Sequence, residues 1–326
     1  MILFTRDDIW VCSKWGVINI FQGDSIKKVR IPFYFLNTQI FKLFLRILRL
    51  ELKNIYVQGD ILSYSFLGSF WFVSISSSTR YRFKEFKGKR PLKPGYDENG
   101  DVYIGEYFSN KKRNQEVGVF KFDKVNWQVK LFYFFFPGEI RHIHGVLVSS
   151  DKVYITCGDY GEEAKIVVLD KKGIKLNELI GKDQLHRTVA PIAHNNHLYY
   201  GTDTQIEQNY FCKIDIENQE VQLIVELDGP VFHTVKINNL LVFSSCVEMG
   251  LGELKKLTVY SYDLIDGEID TLYTYSLPIS LNRILQLLFG IPNIELFEYK
   301  GGLMIRNPFY YYLFSKTVQL KLFKTK

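Results

Sequence analysis

The sequence predicts an all-β fold: a β-propeller of four-stranded blades, with six blades favoured over five or seven. Three observations predict it. Aromatic residues reach 16% of the chain, with 26 Phe, 21 Tyr and 4 Trp, a load that suits pleated strand faces. Two-residue turn signals recur at Asn99-Gly100, Ser150-Asp151, Asn195-Asn196, Asn238-Asn239 and Gly301-Gly302, spaced 51, 45, 43 and 63 residues apart. Each is followed by a similar strand, and four strands per unit of about 45 residues is the arithmetic of a propeller blade. Residues 1–326 read as one such domain, with helical insertions at about 35–50 and 280–289.

Residues 1 to 30 offer four short strands (ILFT, IWVCSKW, VINIF, IKKVRI), and residues 53 to 86 offer three or four more, including ILSYSF, FWFVSI and RYRFKEF. The sharing of one blade by terminal strands, which would clasp a ring, favours the count of six. From residue 90 the units become regular. The strands after the turns are DVYIGEY, KVYITCGDY, HLYYGTDT, LLVFSSCVE and GLMIRNP. The next are EVGVFKF, AKIVVLD, NYFCKIDI, LTVYSYDL and YYYLF, and VKLFYFF, IKLNELI, VQLIVEL, DTLYTYSL and VQLKLF close the units. A blade cannot bury both faces alone, so its neighbours must supply the cover. Two segments break this rhythm. FLNTQIFKLFLRILRL (35–50) and SLNRILQLLF (280–289) have helical periodicity, the first with Lys42, Arg46 and Arg49 beside a broad apolar face. Such helices either pack on the propeller rim or lay a cationic amphipathic face on an anionic bilayer.

Composition narrows the function classes. At 47% hydrophobic and 23% charged residues the chain can bury a core. A net charge of +6 without a basic stripe argues against a nucleic-acid partner. The densest basic tract, Arg80 to Lys93, reads as an exposed edge and loop. Cys12, Cys157, Cys212 and Cys246 form no CxxC pair, which excludes a zinc knuckle and suggests free thiols. The N-terminus carries charges at positions 6 to 8 and no signal-peptide h-region, and no long uncharged apolar run predicts a membrane-spanning helix. The expected location is cytoplasmic, with peripheral contact at the inner membrane face through 35–50 and 280–289 as an added option. No P-loop, GxGxxG, GxSxG or HExxH motif is present.

The candidate site lies on strands expected to line a propeller channel. In Glu139-Ile140-Arg141-His142-Ile143-His144-Gly145, strand alternation points His142 and His144 the same way and Arg141 the other. Gly145 permits close backbone approach. Arg187 and His233 begin the next first strands (RTVAPI and PVFHTV). No cofactor is called for by any motif, although His142, His144 and His233 leave a divalent metal open. Carboxylates recur at Glu106, Asp159, Asp203 and Glu248, spaced 53, 44 and 45 residues apart. Paired acids of this kind suit glycoside chemistry. The bland alternative is that acids are common where strands enter turns. The assigned roles are Asp159 and Glu106 as acid or base, His142 and His144 as proton or sugar ligands, and Arg141, Arg187, His233 and Tyr160 as substrate contacts.

The stretches GEYFSNKKRNQEVGVFKFDKVNW and GEIRHIHGVLVSSDKVYITCGDYGEEAKI resemble bacterial sialidase-like (BNR-type) β-propellers over roughly residues 95–205. Arg141-His142-Ile143-His144-Gly145 and Gly158-Asp159 are the most specific pieces, while the Asp-box pattern survives only as Asp123 and Trp127. The resemblance implies work on a carbohydrate, nucleotide-sugar or lipid-linked glycan in surface-polysaccharide biosynthesis, by glycosidase- or glycosyltransferase-like chemistry. It also nominates Arg141, Arg187 and Arg306 for an anionic group. Two alternatives stand beside it: a non-catalytic propeller scaffold for protein or membrane-surface interaction, and a metal-dependent sugar lyase or epimerase.

Overall fold

Antiparallel meanders account for nearly all of the regular structure. The computed structural model describes residues 2–6, 9–14, 17–32, 45, 48, 50–181, 183–246, 256–276, 293–299, 302–306 and 317–320. Among these, seven antiparallel sheets form, six with four strands and one with three. Each joins strands consecutive in sequence, the topology of a propeller blade, and the chain is a β-propeller of such blades.

In chain order the first sheet is Ile2–Arg6, Ile9–Lys14, Val17–Gln22 and Ser25–Arg30 (β1–β4). The second is Lys53–Gln58, Ile61–Phe66, Ser69–Ser74 and Arg80–Phe83 (β5–β8). The third is Gly95–Tyr96, Val102–Gly105, Val117–Asp123 and Gln128–Phe135 (β9–β12). Ile143–Ser149, Lys152–Cys157, Lys165–Asp170 and Lys175–Ile180 (β13–β16) make the fourth, and Ile192–His194, His197–Gly201, Asn209–Asp215 and Val221–Leu227 (β17–β20) the fifth. Val231–Ile237, Leu240–Ser245, Lys256–Asp263 and Ile269–Ser276 (β21–β24) make the sixth, and Glu295–Tyr299, Gly302–Arg306 and Thr317–Leu320 (β25–β27) the seventh. Seven sheets exceed the favoured six because β1–β4 close into a complete meander of their own.

Ser150-Asp151, Asn195-Asn196 and Asn238-Asn239 close two-residue hairpins as expected, Asn99-Gly100 lies in a longer connection between Tyr96 and Val102, and Gly301 lies outside the described residues. Asn195 and Asn196 both take left-handed φ (47° and 61°), as do Ser150 (53°), Asn238 (54°) and Gly100 (91°). This is the twist that a two-residue hairpin needs. Among the strands whose burial is described, burial falls from the middle strands to the fourth. Every residue of β6 and β7 is buried, as are five of six in β15. The fourth strands β4, β12 and β16 alternate or face solvent, and β16 carries one lysine and one glutamate along that edge, a common guard against edge pairing.

The chain divides into two compact units. One comprises Leu48–Asp203 and Tyr210–Ile224. Its sheets are joined face to face by three apolar layers. Phe70, Phe72, Phe83, Ile104 and Phe122 join the second sheet to the third. Val117, Val119, Ile143, Ile155 and Val167 join the third to the fourth. Ile166, Val168, Leu198, Tyr200 and Cys212 join the fourth to the fifth. In the other unit, Met1–Ile47, Thr204–Asn209 and Val225–Lys326, Val242, Leu257, Val259, Leu296 and Leu303 join the sixth sheet to the seventh.

Helical structure among the described residues is limited to two single 3-10 turns, Gly161–Glu163 and Gln184–His186, and to Leu45, which is buried. Most of the 35–50 insertion, all of 280–289, the YYYLF strand, Glu248 and Asn307 lie outside the described residues. No helix among the described residues is long and apolar enough to cross a membrane. All four cysteines are free, and Cys157, Cys212 and Cys246 are buried.

The aromatic layer between the second and third sheets yields a first prediction. The rings of Phe72 and Phe122, both fully buried, stack with centroids 3.7 Å apart. Phe122→Ala should destabilise the protein by about 3–5 kcal/mol, read as a lower denaturation midpoint in urea. A shift under about 1 kcal/mol would remove this layer from the core.

Candidate functional site

Two backbone irregularities set the candidate site. The β13–β14 ladder shifts register between Ile143 and Gly145, so His144 sits in a β-bulge. A bulge frees one side chain from strict alternation and re-aims it. Gly145 lies so close to Val189 that a Cβ would meet its carbonyl oxygen at 2.5 Å. Opposite, β14 ends at Cys157, and Gly158 turns the chain with φ of +77°, its N–H donating to the His142 carbonyl (3.1 Å). A Cβ at Gly158 would collide with the Glu163 carbonyl, so glycine is required there. The turn delivers Asp159 back toward the start of β13.

Six ionisable side chains converge there, all within the unit that contains the second to fifth sheets. His142 Nε2 lies 3.0 Å from His144 Nε2. Asp159 Oδ1 lies 3.2 Å from the first and 3.1 Å from the second. The Arg141 guanidinium pairs with Asp159 Oδ2. Arg187 stands 3.7 Å from both Asp159 Oδ1 and Asp203 Oδ2, and Asp203 Oδ2 lies 3.8 Å from His144 Nδ1. His142, His144, Asp159, Arg187 and Asp203 are all buried. A carbonyl can only accept, so His142 Nδ1 donates to Phe108 O (3.3 Å). The Tyr107 ring packs 4.4 Å from that of His142.

The charges follow from this packing. Burial alone would raise the Asp159 carboxyl. Hydrogen bonds from His142 and His144, and positive charge beside it, overcome that and hold it far below the usual range. The Arg141 guanidinium, always charged, keeps Asp159 ionised. His144 goes the other way. Burial pushes it down to about 4, and His142 and Arg187 add to the fall against the opposing pull of Asp159.

The sequence-nominated residues divide. His142, His144, Asp159, Arg141 and Arg187 meet, with Asp203 joining them. Tyr160 is 45% exposed, its ring 5.9 Å from the Arg187 guanidinium. Arg141 departs from expectation: alternation pointed it away, but β13 begins only at Ile143, so residue 141 is not bound by strand phase. Glu106 is spoken for elsewhere. Its carboxylate accepts the Lys87 N–H (2.6 Å) and the Gly118 N–H (2.8 Å), which ties a loop to β11, and burial raises its carboxyl. His233 is half-buried on β21 in the other unit. There Arg306 pairs with Glu295, its cross-strand partner.

Sequence reasoning missed two participants. Phe108 contributes only a carbonyl, which no side-chain pattern reveals. Lys93 closes the basic tract that read as an exposed loop, yet it bridges to Gly145, and burial pushes its amine down to about 8.

No family model matches the chain, and no curated protein does. The sialidase-like resemblance therefore has no support from these comparisons. Among solved structures 844 chains match, a breadth that marks a common fold. One belongs to a structure described as "Crystal Structure of Mitotic Checkpoint Complex". It matches with a TM-score of 0.56 at 11% identity, over 94% of this chain and 83% of that one. At that identity the likeness shows the fold alone.

The depressed His144 predicts an acid-labile protein. A group whose folded pKa lies below its unfolded value binds fewer protons when folded, so stability rises with pH between the two. Stability should fall as pH drops from about 6.5 to about 4, by up to about 3 kcal/mol. The Asp159 carboxylate, also held low, adds further loss below about pH 4. His144→Gln should flatten the pH 6.5-to-4 limb in urea titrations; an unchanged slope would assign the acid lability elsewhere.

Proposed function

We propose that this protein is a non-catalytic β-propeller scaffold that engages a protein partner through its outer strands. One observation carries the reading: both acids nominated for glycoside chemistry are committed to structural partners. A general acid must hold a proton near neutral pH and give it up at the reacting atom. Asp159 is held ionised by hydrogen bonds from His142 and His144 and paired with Arg141, and Glu106 spends both oxygens on backbone N–H groups. Two carboxyls so engaged do not form the acid and base pair of a glycosidase.

The outer edges of the same unit favour docking. Leu131 (56% exposed) and Phe134 on β12, Phe136 just after it, and Leu176 and Ile180 on β16 all present apolar surface. Exposed apolar edges mark interaction surfaces, and fold alone leaves function open. The matched checkpoint structure is by its own description a complex, which agrees with such a role without assigning a partner.

A second reading keeps the carbohydrate. Tyr160 offers a solvent-facing ring beside Arg187, a pairing that suits a sugar ring bearing an anionic group. The intact protein should neither hydrolyse aryl glycosides nor transfer from nucleotide sugars. Photocrosslinkers at Leu131 and Leu176 in living cells should each yield a discrete protein adduct, lost when Phe134 and Phe136 are both changed to Ser. Turnover that disappears in Asp159→Asn would overturn the scaffold reading in favour of the second. Absence of any adduct at either position would also overturn it.

A further inference from the structure

We infer that His142, His144 and Asp159 form a binding site for a divalent first-row transition-metal ion. The inference rests on neither functional reading above, since an ion there could brace a scaffold or hold a ligand.

Three atoms define the site. His142 Nε2, His144 Nε2 and Asp159 Oδ1 form a nearly equilateral triangle with edges of 3.0, 3.1 and 3.2 Å. All three side chains are buried, and their ligand atoms lie within one small cluster. Metal–ligand bonds near 2.1–2.2 Å place neighbouring ligands of an octahedral ion about 3.0–3.1 Å apart, against about 3.3 Å around a tetrahedral one. The observed edges fit one face of an octahedron. Two imidazoles and one carboxylate on a single face, with the remaining positions open, is a donor set suited to such ions.

Hydrogen-bond accounting points the same way. His142 Nδ1 donates to the Phe108 carbonyl, so an ion that displaces the proton shared between Nε2 and Asp159 meets a lone pair there. His144 Nδ1 makes no hydrogen bond but faces Asp203 Oδ2 at 3.8 Å. Without an ion, His144 Nε2 donates to Asp159 Oδ1 (3.1 Å); an ion would take the place of that hydrogen, and Asp203 would hold the proton on Nδ1. Outer-shell carbonyls and carboxylates orient metal-binding histidines in this way. An ion placed among these three buried atoms, about 3 Å apart, would replace the shared protons and satisfy all three at once. Arg141 and Arg187 do not fill that role. Arg141 binds the other oxygen of Asp159, and Arg187 stays 3.7 Å away. Since the two guanidiniums already balance Asp159 and Asp203, a bound ion leaves the site net positive, and its open positions favour an anionic oxygen ligand such as a carboxylate or phosphate.

Two neighbouring features serve the same geometry. The bulge places His144 beside His142, and Gly158 places Asp159 opposite both. His197, paired with Asp215 at 3.6 Å, lies outside the triangle and provides a control.

The test uses the untagged full-length protein, stripped with chelator and dialysed. Titration with Co2+ and with Mn2+, followed by elemental analysis of the desalted protein, should give one ion per chain. His142→Ala, His144→Ala and Asp159→Asn should each weaken binding at least tenfold, while His197→Ala leaves it unchanged. Asp203→Asn should weaken it about tenfold through the orientation of His144. Far-UV circular dichroism, with His144→Gln as the milder replacement, separates loss of ligands from loss of fold. Less than about a tenth of an ion per wild-type chain would overturn the proposal and assign a shared proton to the triangle. So would Co2+ binding that survives His144→Ala unchanged. Neither result bears on glycoside turnover or on partner crosslinking, so the failure of this site and of the functional reading remain distinguishable.

Discussion

The middle strands of the second to fifth sheets are buried on both faces, and that constraint governs the rest. A four-stranded meander with both faces hydrophobic cannot stand in water alone. In the unit running from Leu48 to Asp203, the second to fifth sheets meet this need serially, each interior face pressed on the next. The gradient of burial within a sheet follows. Middle strands such as β7 are covered on both sides, and fourth strands such as β16 lie half in solvent. Neighbouring sheets held this rigidly can bring strand ends from distant parts of the chain to one place without loops that must fold on their own.

The polar cluster depends on that rigidity. Burying five of its six ionisable groups is costly unless each finds a partner. Here guanidiniums, carboxylates and imidazoles alternate so that each charge faces its opposite. Rigid strands place these groups with little freedom to relax, and preorganisation of that kind matters more for binding than for the fold itself.

Much of this was legible in the sequence because the relevant signals are local. The Asn195-Asn196 and Ser150-Asp151 turns announce left-handed residues. The strands after them repeat closely enough to set the period, and His-x-His spacing joined to a repeat-phased Asp159 marked the cluster. What stayed hidden depends on tertiary detail. Arg141 joined because the strand begins two residues later than alternation assumed. Glu106 shares its repeat position with Asp159, yet a loop from residue 87 claims its carboxylate. Lys93 and the Phe108 carbonyl contribute through backbone placement, which composition does not record. The extra sheet came from β1–β4 pairing among themselves, a choice of partner rather than of strand content.

The bulge at His144 has relatives. Register shifts interrupt the first strands β1, between Ile2 and Phe4, β5, between Lys53 and Tyr56, and β21, between Val231 and His233. Each dislocation exempts a residue from the ladder: Leu3, the Asn54-Ile55 pair, His144 and Phe232. Such positions stand outside the strand ladder, and one of them carries an imidazole that joins the polar cluster. The dislocation alone carries no chemistry: at His144 it serves because His142 and Asp159 stand beside it.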